Sequence, residues 1–436
     1  MCFRLISFSF NKSRRVQPQV ALAGCHRWGA TALLFLVLAG AAPAQEALRY
    51  SLAGQDVAEY RKRQLENQKF SLELGPVSMR FEGGLEIDVT DNVKYVSDNP
   101  QEDLIFRPQL KAFSSWRVSE RNTLSLGLGI GYEKYLNTTE YDRFFISPDT
   151  DLSFDIYAGD FLINLHDQFN YTGDVSSSPT ISGTGSLPRF ENTVGIRTVW
   201  DLNKAFISVS YDHQNYIATD SVYDYLTHSA ELLTATVGFQ LRPTVQAGLQ
   251  LGGGLIDYTQ PLSQDNQHVS IGPFVSAQLS ENTSFRLGGG YVMYFLDTLG
   301  LTDLTSSVDA YYLEASLNQR VSKLLTHSLS FGQSLQSQFG SGRGSQLLDS
   351  KYIAYSASWN LLRKTALYTT LRYEHDQQSG LLGETFDWFG TTVSLSRPIT
   401  QSLSATLGYQ FHLKDSDRKG SDYLQNRLVL SLAYAF

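Results

Sequence analysis

Cysteine is almost absent from this chain: its 436 residues include two, Cys2 and Cys25. Both fall in an amino-terminal segment that reads as removable. The exported polypeptide would then carry no thiol, which excludes a disulfide framework, cysteine catalysis and a cysteine-ligated metal. Long apolar runs are missing too. After the stretch from Ala30 to Ala42 no run approaches about 18 apolar residues, so no transmembrane helix is expected. Positive charge is scarce. Arg4, Lys12, Arg14, Arg15 and Arg27 belong to the removable segment, leaving 30 basic residues against 43 acidic ones, a net of −13. That balance argues against nucleic acid as a partner. There is no phosphate-binding glycine loop, no dinucleotide fingerprint and no spaced cluster of metal ligands, so no cofactor or metal is expected.

What is present begins with export. A basic stretch, a short apolar core and the small-residue site Ala42-Pro43-Ala44 describe a secretory signal peptide over residues 1–44, cleaved after Ala44. Leu22-Ala23-Gly24-Cys25 matches a lipoprotein box, but the apolar run follows it instead of preceding it. Residues 45–76 are charged, lack strand alternation and favour a helix, so they read as a short periplasmic leader.

The pattern changes at Pro76. Val77, Met79, Phe81, Leu85, Ile87 and Val89 alternate with Ser78, Arg80, Glu82, Glu86, Asp88 and Thr90, an apolar face against a charged one. From there the chain repeats a unit of about 40 residues, marked by tight turns near 119–122, 158–160, 201–204, 242–244, 280–282, 322–323, 362–364 and 398–401. Each turn opens a rising strand, as in Leu124, Leu126, Leu128, Ile130 and Tyr132. A polar loop and a descending strand follow. Counting both limbs predicts an all-β fold: a transmembrane antiparallel up-and-down barrel over residues 77–436, with about 18 strands in a range of 16 to 20. The limb 144–157 is interrupted by Ser147-Pro148-Asp149. One greasy face per strand needs lipid on that side, and only a closed barrel satisfies every backbone group there. Tyrosines recurring at strand ends, among them Tyr132, Tyr135, Tyr211, Tyr258, Tyr291, Tyr294, Tyr311, Tyr373 and Tyr409, predict two interfacial girdles.

The last strand, Tyr423 to Phe436, alternates to the final residue. It resembles the closing strand of bacterial outer-membrane β-barrels. The resemblance implies that Tyr434 and Phe436 form the signal read by the barrel-assembly machinery. Leu74-Gly75-Pro76-Val77, followed by Leu85-Glu86-Ile87-Asp88-Val89-Thr90-Asp91-Asn92-Val93, resembles the start of β-barrel porin families of Gram-negative bacteria. In those families a first strand after Gly-Pro runs into an Asp-Asn turn, and some relatives are associated with exopolysaccharide systems. Asp91 and Asn92 are turn formers on this reading.

Alternation places eighteen charges on the wet face. The first strands supply Arg80, Glu82, Glu86, Asp88, Arg107, Lys111, Arg117 and Glu133. Later ones supply Arg189, Glu191, Arg197, Asp212, Arg286, Glu314, Arg320, Arg372, Glu374 and Arg427. Most are expected to pair along the wall, with a few lining a pore. Loop 172–188, rich in Gly, Ser and Thr, is the segment expected to fold inward. His166, His213, His375 and His412 are the histidines that a catalytic barrel would draw on, but no spacing sets a serine and an acid beside any of them, so no enzyme is expected. The sequence thus predicts an outer-membrane, porin-like passive channel for small hydrophilic solutes, its partners being lipid and the assembly machinery. The alternative is a non-diffusive barrel serving polysaccharide export or envelope structure. A secreted propeller would need four short strands per repeat, where this chain offers two long ones.

Overall fold

In the computed structural model the described residues are 70–436, apart from 176–178, 261–262, 264, 298–306, 339–345, 363 and 380–382. The signal peptide and most of the leader lie outside them. Eighteen strands make the wall. The first six are β1 (Val77–Thr90), β2 (Asp103–Arg117), β3 (Thr123–Tyr135), β4 (Arg143–Ile146 and Asp151–Ala158), β5 (Phe161–Thr172) and β6 (Arg189–Asp201). Then come β7 (Ala205–Ala218), β8 (His228–Arg242), β9 (Val245–Tyr258), β10 (Asn266–Ser280), β11 (Thr283–Leu296) and β12 (Ser307–Arg320). The last six are β13 (Leu325–Gln338), β14 (Gln346–Leu362), β15 (Thr365–Gln378), β16 (Thr385–Pro398), β17 (Leu403–Ser416) and β18 (Tyr423–Ala435).

Each strand pairs antiparallel with its sequence neighbour, and β18 closes on β1 from Glu82 opposite Ala435 to Thr90 opposite Arg427. The break at Ser147-Pro148-Asp149 falls where alternation fails. Both halves of β4 still pair with β3, so the interruption costs the wall no strand. The segment read as leader departs from expectation at its end. Leu72–Leu74 is extended and pairs with Val77–Met79, because Gly75 at φ +62° allows a tight reversal before Pro76. At the turn side, Gly159 (φ +62°) and Asn203 (φ +70°) make the same left-handed reversals in two-to-three-residue connections.

Alternation sets the two faces. Across β11 to β18 one row of directly opposed residues reads Leu287, Ala315, Phe331, Ile353, Tyr373, Phe389, Leu413 and Leu424. The adjacent row reads Gly288, Glu314, Gly332, Tyr352, Glu374, Trp388, Lys414 and Tyr423. The first row is largely exposed and apolar, while Glu374, Trp388, Lys414 and Tyr423 in the second are buried. In a water-soluble sheet the exposed row would be the polar one.

Candidate functional site

Two observations decide what kind of protein this is. The wall is sealed edge to edge through β18 and β1. Its outer surface carries Leu110, Ile130, Leu251, Ile271, Phe331 and Leu407, all exposed, with a broken ring of outward tyrosines such as Tyr211, Tyr291, Tyr311, Tyr373 and Tyr409 toward the loop side. This is a transmembrane β-barrel. Apolar residues in water would collapse, whereas in a bilayer they face acyl chains and the tyrosine rings sit at headgroup level. The girdle is thinner than the sequence suggested. Tyr135 and Tyr294 have inward parity and are buried in the lumen, and Tyr258 faces inward beside His228. An apolar groove of about 710 Å³ runs past Leu85, Pro108, Leu110, Ile130, Phe144 and Tyr434; it lies on the lipid face and is no part of the lumen.

The charges singled out in the sequence lie on the inward register. Five of them, from β18, β1, β2 and β3, converge. Arg107 Nη1 donates to Glu86 at 2.9 Å and to Asp88, and its Nε donates to Glu133 at 2.8 Å. Arg427 reaches the same Asp88 from β18, with Nε donating at 3.1 Å. Asp88 is therefore clamped between two guanidiniums across the closing seam. Arg143 on β4 extends the chain of charges by pairing with Glu133 at 2.5 Å and bonding Ser186 of the inturned loop. Elsewhere the pairs are local: Arg80 with Glu82 at 2.5 Å, Arg189 with Glu191 at 2.6 Å, and Arg372 with Glu374. Lys111 meets Asp149 at 2.6 Å.

The remaining candidates stand apart from this network. Arg197 donates to Ser208 at 3.4 Å, and Arg286 stacks over the Phe274 ring at 4.9 Å. Arg320 donates to Asn282 at 2.8 Å near the turn side, Arg117 ends β2 there, and Glu314 lies between Gly288 and Gly332. Sequence reasoning missed Arg143, Asp376, Glu384 and Lys414. Lys414 and Glu384 form a wholly buried pair at 2.6 Å with the ammonium 4.3 Å over the Phe386 ring. Extending the period-two reading of β17 past Gln410 and His412 would have found Lys414.

The loop side of the lumen is crossed by side chains. Loop residues Tyr95, Val175, Leu187 and Leu226 join Tyr216, Leu348, Phe386, Trp388 and Tyr423 in one buried apolar cluster. Tyr216 belongs to β7 and Phe386 and Trp388 to β16, nine strands apart round an eighteen-stranded wall. The cluster therefore spans the barrel. The expected inturned loop supplies part of it: the Leu187 amide donates to Gly173 O at 2.9 Å, the Gly183 amide to Tyr95 O at 3.1 Å, and the Tyr223 hydroxyl to Thr184 at 3.1 Å. Trp388 Nε1 donates to the Tyr423 hydroxyl at 3.2 Å, and Tyr95 meets Tyr423 edge-on. Burial pushes the phenol of Tyr95 above its ordinary range, with Asp174 adding to the shift. Asn92, expected as a turn former, does more. Its amide donates to Val96 O at 2.7 Å and to Leu424 O at 2.9 Å, while Asp91 accepts from the Asn426 amide at 2.7 Å, so the first loop is tied to the last strand.

The histidines do not assemble a nucleophile. His166 Nε2 lies 2.7 Å from Asp212, and the Ser210 hydroxyl donates to the other oxygen of that carboxylate at 2.8 Å. The acid thus sits between imidazole and hydroxyl, whereas acyl transfer needs the imidazole against the hydroxyl. His213 with Glu231 and His375 with Asp387 point outward at the loop side, and His412 packs at a tilt against Trp388 inside.

No family model and no curated protein matches the chain. Among solved structures the fold is similar to the outer-membrane protein OpdK of Pseudomonas aeruginosa, at 11% identity and a TM-score of 0.47, covering 82% of this chain and 99% of that one. It is also similar to OccAB3 of Acinetobacter baumannii, at 14% identity and a TM-score of 0.45 with 82% and 99% covered. OmpT of Vibrio cholerae gives 11% identity and a TM-score of 0.40 with 84% and 100% covered. These likenesses extend to the fold and no further.

Proposed function

We propose that the barrel is a porin-like passive channel for small hydrophilic solutes, narrowed on the loop side. One observation supports it above the others: a sealed eighteen-stranded wall whose inward register is polar and charged from the turn-side rim, at Arg117 and Arg320, up to the Asp88 network. Barrels of about 16 to 18 strands leave room for an aqueous channel unless something fills it. Paired acids and bases along a wetted wall orient polar solutes without holding them. Export through a cleaved signal peptide belongs to the same reading.

The lumen-crossing apolar cluster favours a second reading, a barrel without general diffusion that serves polysaccharide export or envelope structure. Planar-bilayer recording on the purified protein separates them. Stepwise conductance with polar solutes supports the channel. A silent bilayer, together with loss of surface polysaccharide on gene deletion, supports the alternative.

A further inference from the structure

Among the described residues the wall steps inward between β12 and β13. β12 and β13 are paired from Leu313 opposite Gln333 down to Arg320 opposite Thr326. Above that point Ser307–Tyr312 stays bonded to β11, and Ser334–Gln338 stays bonded to β14. Among the described residues no rung joins those two stretches. Side-chain parity tells where the upper end of the β13–β14 hairpin has gone. Leu335 and Leu347 share the register of Leu329, Phe331 and Ile353, which face lipid and are exposed. Both are nevertheless buried, Leu347 to 1% exposure. Their companions are Val292, Tyr294 and Tyr312, from the inward face of β11 and β12.

An outward face meets an inward face only if the hairpin end lies inside the wall. Two hydrogen bonds hold it there. The Tyr294 hydroxyl donates to Leu335 O at 3.3 Å, and Asn266 Nδ2 on β10 donates to the Ser337 hydroxyl at 3.1 Å. The split begins at Tyr312, next to Tyr311, which is 77% exposed on the outer surface. An aromatic at that position marks headgroup level, so the bare edge of β12 begins where water and polar headgroups reach it. Within the hydrocarbon such an edge would not be tolerated.

The paired register also continues upward without adjustment. It would set Tyr312 opposite Ser334, Tyr311 opposite Leu335, Ala310 opposite Gln336 and Asp309 opposite Ser337. In that arrangement the rungs are made, Leu335 faces lipid beside Tyr311, and Tyr294 and Tyr312 line the lumen. The inward arrangement buries apolar area at the expense of rungs and the zipped one does the reverse.

We propose that the upper end of β13–β14 is a gate, swinging between the inward position and one zipped onto β12. Leu348, on its inner face, belongs to the cluster that crosses the lumen, so zipping withdraws a side chain from the obstruction. The effect on conduction rests on the channel reading; the movement does not.

The pair Tyr311→Cys with Leu335→Cys tests it, since the described residues contain no cysteine. Directly opposed residues bring Cα atoms within about 5.5 Å, a disulfide distance, whereas the inward position leaves the two on different sides of β12. Ala315→Cys with Phe331→Cys, opposed in the paired part of the same ladder, is the control that cross-links in either state. In lipid vesicles under mild oxidant, fragment mass spectrometry is expected to find the Tyr311/Leu335 disulfide. Conductance should rise several-fold on oxidation and fall back on reduction. Adding Tyr294→Phe and Asn266→Ala, which remove the two bonds named above, should raise the yield. A control that cross-links while the gate pair stays reduced, in protein whose heat-modifiable mobility shows a folded barrel, overturns the movement. A disulfide that leaves an active channel's conductance unchanged overturns the gate. Silence in every variant, the unmodified protein included, removes the channel reading, and the cross-link alone then decides the movement.

Discussion

A carboxylate shared by two arginines behaves differently from one held by a single partner. Asp88 is fully buried and accepts from Arg107 on β2 and Arg427 on β18, so its charge sits where the first and last strands meet. Asp88→Ala would leave two largely buried guanidiniums facing each other, the costly way of breaking an ion-pair network, at roughly 3 to 5 kcal/mol. We expect a lower urea midpoint for the barrel in liposomes, with unfolding followed by tryptophan fluorescence. An unchanged midpoint would mean that the seam is held by its backbone ladder alone. Leu187, at 1% exposure in the lumen-crossing cluster, bears on conduction instead. Leu187→Ser shortens the side chain and wets the cluster, so single-channel conductance should rise. An equal conductance would place the narrowest point elsewhere.

At the scale of an element, one tight place in the wall is where β2, β3 and β4 meet. A Cβ on Gly131 would lie 2.7 Å from the backbone O of Pro108 and 2.3 Å from the Phe145 ring. A ring can turn aside, but a strand carbonyl cannot. Gly131→Val should therefore force β2 and β3 apart, at a cost of about 1–3 kcal/mol, and lower the yield of heat-modifiable barrel. A larger residue at Gly408, whose Cβ would meet its neighbours at 3.7 Å or more, should be tolerated by the same assay. Alternation revealed nearly every strand of this wall in the sequence, even the broken β4, because a strand between lipid and water repeats its preference every second residue. The curl of β13–β14 was not legible. Leu335 and Leu347 continue the lipid-facing pattern without a break, and only burial shows that they have left the lipid.

For the whole molecule, closure is the property that matters. Phe436 donates its amide to Phe81 O at 3.0 Å, and its ring lies against Tyr434 and over Gly83. The ring is still 62% exposed, so deleting it removes little packing. Phe436→Ala should cut the amount of folded barrel in the outer membrane several-fold in cells and leave refolding into detergent nearly unchanged. An equal loss in both settings would make the residue structural instead of a signal for assembly. The charges on the inward register were legible one by one from parity. Their grouping was not: Asp88 and Arg427 are separated by 339 positions and meet only because the sheet closes on itself.

By itself the sequence determined that this chain must have a wet face and a greasy face on every strand, that the strands number about eighteen, and that charge lies on the wet side. Those are local consequences of a period of two, and they are written within ten residues at a time. The tertiary structure decided which arginine meets which acid, that apolar side chains from opposite walls join loop residues in one cluster across the lumen, and that one hairpin end turns inward at an unzipped edge. Each depends on the curvature and closure of the whole sheet, and no stretch of the chain encodes that on its own.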